Sequence, residues 1–129
     1  MAAFRPSSIG PAFFLAAALA TGPGIAQEPA AVVEMTNDLE FVPESVTIRA
    51  GETVEWRNVG TAAHTVTADP DEAADPDHVV LPEGAETFNS GVITGGGSFT
   101  HTFEAPGRYA YFCIPHERTG MLGEVIVEE

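Results

Sequence analysis

Residues 108–128 read RYAYFCIPHERTGMLGEVIVE. The stretch opens with an alternating run: in RYAYFC (108–113) Tyr109, Tyr111 and Cys113 fall on one face of an extended chain. It closes with GEVIVE (123–128), a second strand. Working outward, SFTHTF (98–103) places Phe99, His101 and Phe103 on one face and Thr100 and Thr102 on the other, and the turn APG (105–107) joins it to RYAYFC. TVEWRN (53–58) alternates at Val54 and Trp56, SVTI (45–48) at Val46 and Ile48, and AVVEMT (31–36) and AHTVTA (63–68) read as further strands. Short strands separated by turn signals, with no helical period beyond one or two turns, predict an all-β sandwich or barrel. One segment breaks the rhythm: DPDEAADPDHVVLPEGAET (69–87) carries seven acids and three prolines, and reads as a surface excursion with a short helical turn near DEAAD.

The N-terminus follows a different logic. Arg5 is the only charge before Glu28, PAFFLAAALA (11–20) is apolar but too short to span a bilayer, and Gly24 and Ala26 supply small residues for cleavage. The expectation is a signal peptide over 1–26, cleaved after Ala26, and one soluble, exported domain over 27–129 in a periplasmic or extracellular setting. The chain has 129 residues, five arginines, no lysine and 19 acids, for a net charge of −14, and loss of Arg5 with the leader takes it to about −15. Such acidity argues against a nucleic-acid partner, and suits either a basic protein partner or solubility in a saline habitat.

Export sharpens the question of Cys113, the only cysteine, which has no disulfide partner in its own chain. His116 follows three positions later and Met121 eight, giving C-x2-H-x4-M where a strand ends and a loop begins. Thiolate, imidazole and thioether can converge there on one ion, with Pro115 stiffening the loop and Gly120 and Gly123 letting the chain bend tightly. A fourth donor must come from elsewhere, and His64, after the loop NVGTAA, is the natural candidate. Two imidazoles, one thiolate and a weak axial thioether make the donor set of a blue-copper electron-transfer site. Thiolate and thioether favour Cu(I), imidazole serves both oxidation states, and Pro115, lacking an N–H, reduces hydrogen bonding to the sulfur.

YAYFCIPHERTGMLGEVIV, together with NDLEFVPESVTIRAGETVEWRN and GTAAHTVTA, resembles the plastocyanin family of cupredoxins, in particular the bacterial and archaeal plastocyanin-like proteins that include halocyanins. The resemblance implies a single-domain Greek-key β-sandwich with one type 1 copper ion at one end, held by His64, Cys113, His116 and Met121. It also implies that His116 breaks the surface inside an apolar patch, with Leu39, Ala62, Ala63 and Pro115 at patch positions, and passes single electrons. The partners would be redox proteins, a donor and an acceptor, with a cytochrome or a copper oxidoreductase as examples. A monomer without membrane insertion or enzymatic turnover is expected. The chain departs from the family at Glu117, Arg118 and Thr119, where smaller residues are usual, which makes the patch more polar. Phe112 stands where plant plastocyanins expose a tyrosine, and 69–87 does not reproduce their acidic docking surface.

Other readings of the same residues stay open at this stage. Cys113 can pack as a buried apolar residue. C-x2-H also occurs in zinc sites, although methionine is a poor zinc ligand. A Cys–His hydrolase needs an oxyanion pocket that nothing here advertises. A copper delivery or storage module would use the same ligands without a redox partner, but such carriers favour methionine-rich or paired-cysteine sites, and beyond residue 26 the only methionines are Met35 and Met121. His101 reads as a core-edge residue with a local hydrogen bond, His78 as solvated, and Tyr109, Tyr111 and Trp56 as packing residues.

Overall fold

The computed structural model describes residues 28–129, together with Ala3 alone, so the expected leader lies outside the described residues. Among the described residues, nine strands form two sheets. The first contains β1 (Ala31–Met35), β2 (Phe41–Val42), β4 (Thr53–Asn58) and β7 (Ser98–Thr102), in the order β2-β1-β4-β7. The second contains β3 (Ser45–Arg49), β5 (Thr67–Ala68), β6 (Phe88–Asn89), β8 (Gly107–Phe112) and β9 (Leu122–Glu128), in the order β3-β9-β8-β5-β6. β1 runs parallel to β4 and β3 parallel to β9; the other pairs are antiparallel. This is the expected β-sandwich, and among the described residues no helix is long and apolar enough to cross a membrane.

The alternation explains the layers. Val33 and Met35 of β1, Val54 and Trp56 of β4, Tyr109 and Tyr111 of β8, and Val125 and Val127 of β9 turn inward and are buried. Trp56 is the centre of this core. Its Nε1–H donates to the Tyr111 hydroxyl at 3.0 Å, and its ring meets Phe99, Phe103 and Tyr111. The pair buries two large aromatics without an unsatisfied polar atom. His101 sits on the core edge as expected, but ring stacking on Phe88 (centroids 4.2 Å apart) holds it, and its ring nitrogens have no hydrogen-bond partner among the described residues.

The strand readings need two corrections. AHTVTA forms a strand only at Thr67–Ala68, because His64 instead makes an isolated bridge to Ile93. The two-residue strands β2 and β6 were not anticipated, being too short to show a period. The segment 69–87 is the surface excursion expected, with none of its residues buried and a helical turn close to DEAAD. It makes two 3-10 turns, Pro70–Glu72 and Pro76–His78, and then pairs Val80 with Ala110 of β8. β8 is accordingly buried on both faces from Tyr109 to Phe112, and Phe112 presents nothing to solvent.

On the outer face, Glu124 of β9 links its two neighbouring strands. It accepts from Arg108 Nε of β8 at 2.7 Å and from Ser45 Oγ of β3 at 2.9 Å. The Arg108 hydrogen bond, then that of Ser45, lowers the Glu124 pKa. A depressed carboxylate stabilises the fold above its unfolded value, about 4.3, and that contribution is lost as pH falls through the folded value. Glu124→Gln is expected to lower stability at pH 7 by under about 1 kcal/mol, since the pair is partly solvated. Urea midpoints should show that difference shrinking below about pH 4, and a difference independent of pH would refute the ionic account.

Candidate metal centre

Cys113 directly follows β8, continues the inward Tyr109–Tyr111 face, and is fully buried. The chain then enters the 3-10 segment Ile114–Thr119, which kinks at His116 (φ −124°, ψ 17°) and ends at Gly120 in the left-handed region (φ +88°). Glycine tolerates that conformation without Cβ strain, and the reversal delivers Met121 to the start of β9. The loop is pinned to itself: His116 N–H donates to Cys113 O, Met121 N–H to His116 O and Cys113 N–H to Met121 O, each at 3.2 Å. Met121 is 1 % exposed, while His116 is partly exposed.

His64 arrives from the stretch that leads into β5, the strand beside β8. Its backbone exchanges hydrogen bonds with Ile93, at 3.1 and 2.7 Å. The preceding loop is fastened by Asn58, whose Nδ2 donates to the carbonyls of Ala62 and Ile93, and by Asn37, whose Oδ1 accepts from Thr61 and Ala62 N–H. The His64 Nε2 lies 2.9 Å from the Thr36 carbonyl. A carbonyl only accepts, so Nε2 carries the proton and Nδ1 of the neutral ring is left with a free lone pair. Burial lowers the His64 pKa, against the raising effect of the Thr36 carbonyl, with a smaller lowering from His116.

That lone pair faces the sulfur. Cys113 Sγ lies 3.7 Å from His64 Nδ1 and 3.4 Å from His116 Nδ1, and the ligand atoms of the three residues all lie within 4.8 Å of one another. Such separations are edges of a trigonal or tetrahedral donor set with metal bonds of roughly 2.0–2.3 Å. Burial raises the Cys113 pKa, opposed by hydrogen bonds from Thr65 and the His116 backbone. The Thr65 N–H reaches the sulfur at 3.3 Å. The Thr65 hydroxyl accepts from Ile114 N–H at 2.9 Å and meets Thr67 Oγ1 at 2.9 Å, and Thr67 donates onward to Asn89 Oδ1 at 3.1 Å. With its proton committed to Asn89, Thr67 must accept from Thr65, so the chain runs in one direction from Ile114 to Asn89.

A family model described as copper binding proteins, plastocyanin/azurin family, matches residues 29–128. The chain belongs to the plastocyanin/azurin family of copper-binding proteins. It is 37% identical over 94 residues to a plastocyanin of Scenedesmus fuscus, covering 70% of this chain and 88% of that one. It is 36% identical over 94 residues to a chloroplastic plastocyanin of Tetradesmus obliquus, where the match takes 70% of this chain but spans only 59% of the longer relative. Among solved structures, amicyanin from Paracoccus versutus is 32% identical with a TM-score of 0.60, over 80% of this chain and 85% of that one. Copper is thus the metal of this cupredoxin, and the soft, buried donor cluster fits it.

Sequence reasoning reached His64, Cys113, His116 and Met121, and the fold brings the first three donors together with Met121 buried beside them. It missed the residues that orient them. Thr36 acts through its backbone and leaves no side-chain signal, while Thr65 could have been noticed as the neighbour of His64. Gly123 was read as a bending point in the loop, but it lies in β9, where it makes room for the Tyr111 ring. Glu117 was read as roughening the surface patch, yet it is 5 % exposed and turned inward. His78, expected to be solvated, is its partner at 2.7 Å.

Proposed function

We propose that this cupredoxin is a small exported carrier that moves single electrons between larger redox proteins, with copper held by His64, Cys113, His116 and Met121. The observation that carries the reading is the convergence of the His64, Cys113 and His116 donor atoms within 4.8 Å, around a His64 Nδ1 freed by the Thr36 carbonyl. Bound copper supplies the one-electron Cu(II)/Cu(I) couple. The chain supplies the rest. His64, Cys113 and Met121 exclude water, the Thr65 N–H holds the sulfur in place, and His116 alone among the four reaches the surface. Val59 at 55% and Ile114 at 36% exposure stand on the loops that carry the two histidines, with Ala62, Ala63 and Pro115, and Val92 at 71% precedes Ile93, the bridge partner of His64. An apolar rim of this kind suits brief docking with redox proteins.

The same burial bears on the alternatives. A delivery or storage module needs donors that a recipient can reach, whereas three of these four are closed off. A thiol hydrolase needs an accessible thiolate, while Cys113 is buried and its pKa raised by burial. The reading is therefore of a carrier without enzymatic turnover, translocated by a leader over 1–26 and working as a single domain over 27–129.

Adding Cu(II) to the processed protein should produce an intense visible thiolate-to-copper band. It should bleach on reduction, return on oxidation and vanish in Cys113→Ser. A colourless protein, or a weak spectrum unchanged by the substitution, would refute the assignment, and paramagnetic resonance on the same samples would show which donors remain.

A further inference from the structure

The segment 69–87 reaches the ligand loop through one side chain. Glu117, next in sequence to His116, turns its carboxylate away from the surface and into this segment. Its Oε1 accepts from Ala74 N–H at 2.8 Å, and its Oε2 accepts from Asp75 N–H at 3.0 Å and from His78 Nδ1 at 2.7 Å. All three donors belong to 69–87. A carboxylate inserted among them satisfies two backbone N–H groups that would otherwise lack partners, and such charge-assisted bonds are the stronger kind.

The receiving surface is built in advance. Ala74 and Asp75 lie between the two 3-10 turns, each of which begins with proline and is capped by an aspartate: Asp69 accepts from Asp71 N–H and Asp75 from Asp77 N–H. Proline fixes φ and the caps fix the turn entry, so the two N–H groups are presented together. The far end of the segment is anchored as well, since Val80 exchanges hydrogen bonds with Ala110 at 3.3 and 2.9 Å, three residues before Cys113. The segment is therefore fastened on one side to the strand that leads into Cys113, and on the other to the loop that carries His116.

We infer that 69–87 is a strap for the copper site and that Glu117 is the positioning residue that fastens it, holding the Ile114–Thr119 turn so that His116 is presented in one orientation. The inference rests on the copper reading above and adds a role for a segment that supplies none of the four ligands. Its logic is that of groups behind metal ligands, whose loss typically costs about 10–100-fold in metal affinity. Glu117 acts one residue along the backbone from its ligand rather than through the ligand's ring.

The test compares wild type with Glu117→Ala, His78→Ala and Asp71→Asn, the last removing an exposed charge from the same strap without touching Glu117. Release of copper to excess chelator is expected to be about tenfold faster in Glu117→Ala, and faster by a smaller factor in His78→Ala. Asp71→Asn should match wild type. The visible band of Glu117→Ala should change in relative intensity and the reduction potential should move, readouts that loss of general stability alone would leave in place. In the metal-free proteins, a Glu-directed protease should cut within 69–87 faster in Glu117→Ala than in wild type. Wild-type release, spectrum and potential in Glu117→Ala would overturn the positioning role, as would an equal change in Asp71→Asn. Equal rates of cleavage within 69–87 would overturn the strap independently of copper. Absence of a thiolate band in wild type would instead overturn the copper reading, and the positioning role with it.

Discussion

Copper uptake by the metal-free protein is expected to strengthen about tenfold per pH unit between roughly pH 7 and 8.5, with release of one proton per ion bound. The ligand is the thiolate, and metal must displace the thiol proton to form it. In this fold burial raises the Cys113 pKa above its ordinary value, and the hydrogen bonds from Thr65 and His116 only partly offset that. The metal-free thiol is therefore protonated throughout the window, and each unit of pH removes a tenfold competition from protons. His64 does not add to the slope, because burial lowers its pKa and its Nε2 proton is held by Thr36, not displaced by metal. Competition titrations at several pH values, with calorimetry in buffers of different ionisation heat, measure the slope and the proton count. A flat affinity, or no proton released, would mean that the thiolate is not the group that copper engages. Cys113→Ser should flatten the dependence as it removes the colour.

The second large effect lies in the core. A Cβ placed on Gly123 would sit 2.5 Å from both the ring carbon Cζ and the hydroxyl of Tyr111, closer than a real methyl contact allows. Tyr111 has little freedom to yield. It is fully buried, accepts from Trp56 Nε1 at 3.0 Å, and meets Phe41 edge-on with centroids 4.8 Å apart. Gly123→Ala is expected to cost about 3 kcal/mol by overpacking. For a domain of this size that corresponds to a fall in melting temperature of roughly 12–24 °C. Because Tyr111 stands two residues before Cys113 on the same inward face, the displacement should also disturb the copper spectrum. Adding Tyr111→Phe should not restore stability, since the ring carbon itself is in the way, and the change strands the Trp56 N–H as well. A melting temperature within a few degrees of wild type would show that the β8–β9 pair adjusts its register or twist more freely than its close pairing implies.

How much of this was legible in the chain follows from the range over which each feature acts. Period-two alternation is local, so β1, β3, β4, β7, β8 and β9 could be read within a residue or so, whereas β2 and β6 at two residues each carry no period. C-x2-H-x4-M is equally local: the donors it names are close because the chain between them is short. The choice of thiolate, imidazole and thioether, and with it the preference for copper, was determined by the sequence alone. His64 could be named as a candidate, but it lies 49 positions from Cys113, and only the antiparallel pairing of β5 with β8 brings its Nδ1 to 3.7 Å from the sulfur. The tertiary structure also decided which way groups face. The Thr36 carbonyl selects the His64 tautomer, Glu117 turns inward to the 69–87 strap, and Gly123 yields its side-chain space to Tyr111. Residue type and spacing are written along the chain, but orientation and burial depend on atoms contributed from distant segments, which are specified only once the sheets have packed.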